Sequence, residues 1–194
     1  MTMKNRKSSI ICITTAILAG FLAGCATMTP DARRAKADTI INDWTSFSRL
    51  AAAKLIEEYG PPDRIKNDEL TWNEKGSWKR ITVRDVSGGY YYYEAGAYNI
   101  EQAISCRVPS EKRRALAVFS EKIRVPPGGI ELIVRSKREE FNFLTVNLAY
   151  EIIQGIRNPL EAQRFYDRTL QLTVAGKSSP YMNKLLFPTL GRNL

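Results

Sequence analysis

Residues 139–154 read EEFNFLTVNLAYEIIQ, and this stretch constrains the fold more than any other. Phe141, Leu144, Leu148 and Ile152 recur at helical spacing along one face. Phe143, Val146, Tyr150 and Ile153 extend the apolar surface around the helix. A helix apolar over so much of its girth is mostly buried. Ser136-Lys137-Arg138-Glu139 has the spacing of a capping box at its start, and Gly155 stops it. Asn158-Pro159-Leu160-Glu161 then opens a second helix, expected to run to about Thr173 with Gly176 as its stop. The tail from Lys177 to Leu194 contains no acidic residue and carries apolar Tyr181, Met182, Leu185, Leu186 and Phe187.

Upstream, the period changes. Ser46 to Tyr59 is helical in pattern, with Gly60 and Pro61-Pro62 ending it. Glu69 to Asn73 and Trp78 to Arg84 read as strands around a glycine-containing loop. Trp78 shares a face with Ile81 and Val83 only if the strand changes phase between them. Tyr90 to Tyr93, Ile100 to Val108, Ile123 to Val125 and Ile130 to Arg135 are further strand candidates, and Ser110 to Phe119 is a short helix with Ser110 as its cap. Strands in sequence with short links imply antiparallel pairing. Helices gathered at the two ends of the chain imply α+β. The expectation is an N-terminal helix, an antiparallel sheet of about four to six strands, and two C-terminal helices packed on it.

The first 24 residues stand apart. Lys4, Arg6 and Lys7 precede an uncharged run from Ile10 to Gly24. Fifteen residues are too few to span a bilayer, which takes about 20, but they suit the apolar region of a secretory signal. Leu22-Ala23-Gly24-Cys25 resembles the lipobox of bacterial lipoprotein precursors. That resemblance implies cleavage between Gly24 and Cys25, S-diacylglycerol and N-acyl groups (palmitate among them) on Cys25, and membrane anchoring. Ala26, where an aspartate holds many lipoproteins in the inner membrane, implies the outer membrane and a periplasmic face in a Gram-negative cell. The expected organisation is a signal peptide over 1–24, a lipidated N-terminus and tether over 25–45, a single α+β domain over 46–176 and a tail over 177–194.

Composition then excludes chemistry. The 194-residue chain has no histidine, which removes Ser-His-Asp and Cys-His catalysis and histidine-ligated zinc. No phosphate-binding glycine loop or other catalytic motif is present, so no catalytic residue, metal or cofactor is expected. The adjacent carboxylates Glu57-Glu58 and Glu139-Glu140 lie on helices, where neighbours point about 100° apart. With Cys12 in the signal and Cys25 acylated, Cys106 is the one thiol left, read as a small buried hydrophobe.

The formal net charge is +9, and basic residues are frequent between Arg107 and Arg138. An anchored protein with such a face could touch anionic envelope polymers or headgroups. Nucleic acid is not an expected partner of an exported chain. Tyr91, Tyr93 and Tyr98 are candidate ligand contacts for a glycan or lipid on a tyrosine-rich sheet. Residues 46–86, with the turn Tyr59-Gly60-Pro61-Pro62-Asp63 and the strand bearing Trp72, resemble small outer-membrane-assembly lipoproteins of the BamE type. That resemblance implies helices on a small antiparallel sheet and a role in barrel assembly. Asn142 to Ala149, followed by Glu161-Ala162, resembles uncharacterised bacterial lipoproteins. The expected function is a non-enzymatic interaction or assembly accessory of the cell envelope, with envelope proteins as partners. The alternatives are a glycan- or lipid-binding lipoprotein and a carboxylate-dependent hydrolase.

Overall fold

The computed structural model describes residues 28–86 and 98–188. Six strands form one antiparallel sheet: β1 (Arg64–Ile65), β2 (Glu69–Lys75), β3 (Trp78–Arg84), β4 (Ile100–Ser105), β5 (Ile123–Arg124) and β6 (Glu131–Ser136). Their order across the sheet is β1-β2-β3-β4-β6-β5. The helices are α1 (Pro30–Ile41), α2 (Ser46–Tyr59), α3 (Arg113–Phe119), α4 (Glu139–Gln154) and α5 (Pro159–Val174). The α+β expectation holds.

Pairing fixes which residues share a face. One set of rows runs Ile65–Leu70–Val83–Ile100–Ser136 and Trp72–Ile81–Gln102–Val134–Ile123. Its apolar members belong to or pack on the core. Trp78 joins them although its parity is wrong. The change of phase falls at Glu74, which has a left-handed φ of 49°; the pair it would make with Lys79 is missing from the ladder. Gly76 at the turn (φ 53°) leaves room for Tyr59, whose Cε1 would lie 2.9 Å from a Cβ there. Trp78 thereby reaches the core and packs against Phe143, the two rings tilted by 34° with centroids 4.8 Å apart.

Helix α4 lies on this face against β6, and α5 and α3 cover its far side. Ten of its side chains are buried, from Asn142 to Ile153. The rest of its cover is the C-terminal segment. Asn147 Nδ2 donates to the carbonyls of Tyr181 (3.0 Å) and Lys184 (2.8 Å), and its Oδ1 accepts from the Leu186 amide at 2.8 Å. Phe187 stacks on Tyr150 at 3.8 Å, and Met182 is buried. Residues 177–188 are thus part of the domain rather than a free tail.

The N-terminus differs likewise. The tether expected to reach residue 45 gives way at Pro30 to α1. Thr29 caps that helix by accepting from the Ala32 amide, and Pro30 occupies its first turn. Ala37, Ile41 and Trp44 enter the core, and Trp44 Nε1 donates to the Asn67 carbonyl at 2.6 Å. Ala37, Ile40, Ile41 and Trp44 fall at i, i+3, i+4 and i+7, a helical period that the polar residues between them and the smallness of alanine make faint.

Candidate functional site

The start of α4 does not form the expected capping box. Arg138 is the N-cap and makes no side-chain cap bond, while the Ser136 hydroxyl donates to the Arg138 carbonyl. Glu139 is drawn elsewhere. Its Oε1 accepts from Tyr59 Oη (2.8 Å), Trp78 Nε1 (2.6 Å) and Gln102 Nε2 (2.5 Å). Asn142 Nδ2 in turn donates to Gln102 Oε1 at 2.8 Å. A polar chain from Asn142 through Gln102 therefore ends on one carboxyl, tying α2, β3, β4 and α4 together. Buried polar groups of this kind are costly unless paired; Asn142 Oδ1 is the acceptor left without a partner.

Burial pushes the Glu139 carboxyl above the ordinary carboxylate range, and the three donors oppose that only partly. Burial, followed by the nearby Glu139 charge, raises the Tyr59 hydroxyl as well. Glu140, its neighbour, is shifted the other way. Burial raises it, but Lys54 at 2.7 Å, its own amide and Arg138 at 3.4 Å more than compensate. Opposed shifts on two carboxyls also occur in acid–base sites. Here each has a separate set of protein partners, the half-buried Glu139 facing Tyr59, Trp78 and Gln102, and Glu140 facing the exposed Lys54 and Arg138.

Both carboxyls line a groove of about 670 Å³ between α2 and the start of α4. Phe47, Leu50, Ala51 and Leu55 supply the α2 wall, with Ile100 of β4 below. Lys54, Glu57, Lys137 and Arg138 add charge around it. Leu50 is 73% exposed there. Phe47, Leu50, Ala51 and Leu55 share the i, i+3, i+4 rows of α2, but the structure turns Leu55 inward with Ala52 and Ile56 and leaves Leu50 out.

The remaining candidates lie elsewhere. Gly24, Cys25, Tyr91 and Tyr93 are outside the described residues. Tyr98 is half-buried, with the Lys122 ammonium 5.4 Å from its ring centroid; Lys122 also lies over Tyr166, 5.1 Å from that ring. Tyr98 does not line the groove. Cys106 is buried, and burial pushes its thiol up to about 11. The basic residues between 107 and 138 do not form one face: Arg113 donates to the Pro127 carbonyl, Lys122 sits between tyrosines, and Arg124 pairs with Glu101. Among the described residues, no cluster of His, Cys, Asp and Glu could hold a metal ion, and no helix is long and apolar enough to cross a membrane. No protein family model, curated protein or solved structure matches the chain.

Proposed function

We propose that this protein is a lipoprotein of the bacterial cell envelope, cut between Gly24 and Cys25 and anchored by acyl chains on Cys25. Its domain acts as a non-enzymatic interaction or assembly accessory. The four lipobox residues and the short apolar run before them support the anchor. Ala26 supports the outer membrane, with the domain facing the periplasm, in a cell that has one.

The observation that carries the interaction reading is the groove beside Leu50. It joins exposed apolar side chains to a charged rim, as the centre of an interface does. The two carboxyls in it are engaged by protein donors, which favours recognition over hydrolysis. A photo-crosslinking residue at position 50 of the lipidated protein tests this. The expected result is a discrete protein adduct in the envelope, absent when the probe is at Leu172 and reduced in the Cys25→Ala variant.

A second reading is favoured by the groove's size, which falls within the range of about 300–1,000 Å³ seen for small-ligand sites. In that reading a glycan or lipid occupies it, at a place other than the tyrosine-rich segment. Native mass spectrometry showing a bound small molecule, with no protein adduct at position 50, would select it. If there is neither a protein adduct at position 50 nor a bound small molecule, both readings fail.

A further inference from the structure

The sheet has a second face, turned away from the core. Its rows run Arg64–Thr71–Thr82–Glu101–Arg135, Asn73–Arg80–Ala103–Ile133–Arg124 and Glu69–Arg84, with Ser105 opposite Glu131. Ala103 and Ile133 are buried yet lie outside the core cluster. With Thr71 and Thr82 they form a low floor flanked by long charged side chains, whose stems can cover such small neighbours.

The charges on this face do not balance. Glu69 is held by Lys66 and Arg84, both at 2.9 Å. Glu131 is held by Lys79 and Arg80, and Glu101 has Arg124 at 3.6 Å. Every glutamate of the rows is thus already neutralised. Arg64 and Arg135 are exposed and have no ion pair in the same rows. Asp63 stands at the β1 edge, where its carboxylate accepts from the Asn73 amide at 2.8 Å and offsets part of the excess. A surplus of cations remains, spread over the sheet at the spacing of its strands.

We infer that this face is a docking surface for the anionic phospholipid headgroups of the membrane that holds the anchor, an inference that rests on the lipoprotein reading above. The chain between Cys25 and Pro30 decides the occupant. Four intervening residues span at most about 17 Å. The N-terminal end of α1 is therefore kept close to the bilayer, and α1 packs on α2 and β1 at the edge where Arg64 stands. An acyl anchor and a basic surface then reinforce each other, as paired membrane signals do. Arginine also suits phosphate, because its planar fork offers two parallel donors.

The test uses the full lipidated protein on vesicles, either all phosphatidylcholine or with phosphatidylglycerol added. A single cysteine carrying a fluorescent donor replaces Asn73 on the basic face or Asp167 on α5, with acceptor-labelled headgroups in the membrane. Buried Cys106 should not compete for the label. The expected result is at least twofold greater transfer from position 73 than from 167 on anionic vesicles. That difference should disappear on neutral vesicles, in high salt, and in an Arg64→Glu/Arg135→Glu variant, whose changes break no ion pair among the described residues. Equal transfer from both positions, or a difference indifferent to lipid charge and salt, would overturn the inference while leaving the anchor intact. Failure to float with neutral vesicles would remove the anchor, and this inference with it.

Discussion

At the scale of single residues, Glu139 has the largest consequences. Truncation to alanine leaves Tyr59, Trp78 and Gln102 without their shared acceptor, and unsatisfied buried donors cost about 1–3 kcal/mol each. Some relaxation will occur, so Glu139→Ala should cost about 3 kcal/mol, measurable by urea unfolding. Glutamine keeps an acceptor and removes the titration. A carboxyl whose folded-state value is raised binds more protons folded than unfolded, so its contribution to stability falls as pH rises from the unfolded value of about 4.5. Glu69 and Glu140 are lowered, and their stabilisation is lost as pH falls. They remain in both proteins and cancel in the comparison. The melting temperature of Glu139→Gln relative to wild type should therefore rise with pH above about 4.5; a difference constant with pH would contradict this role. Cys106 offers a simpler check. Its thiol is buried and pushed up to about 11, so maleimide should modify it only on unfolding. Rapid labelling of the native protein would contradict that placement.

At the scale of elements, α4 explains both what was legible in the sequence and what was not. Its apolar girth announced that it would be covered on several sides, and the sheet, α3, α5 and residues 177–188 do cover it. The role of the C-terminal segment was hidden because no regular period marks it; it is held by Asn147, a polar residue inside an apolar helix. Asn147→Ala should cost about 2–3 kcal/mol through the exposed or orphaned backbone groups. It should also open Lys177 and Lys184 to trypsin well before the rest of the domain. Uniform proteolysis of wild type and variant would contradict the clasp. The capping box failed for a similar reason. Ser136 and Glu139 have the right spacing, but the Glu139 side chain meets three donors brought from distant strands and a helix, which local sequence cannot show. Helix α1 was legible in part: Thr29 and Pro30 are cap signals and Ala37, Ile40, Ile41 and Trp44 keep a helical period, while its many charged residues resemble a tether.

At the scale of the whole molecule, the chain presents three surfaces of different character: a core face sealed by helices, a groove beside Leu50, and a basic sheet face. The α+β class could be read from the order of periods, because strands in sequence with short links leave few arrangements. The groove and the basic face could not, since each collects residues from segments far apart in the chain. All of this rests on one proposal, that the domain works from a lipid anchor a few residues away. Mass spectrometry of the mature N-terminus, purified from a bacterial host that processes lipoproteins, tests it most directly. The expected chain begins at Cys25 and carries S-diacylglycerol and an N-acyl group. A chain that begins elsewhere, or a Cys25 with a free thiol, would contradict it.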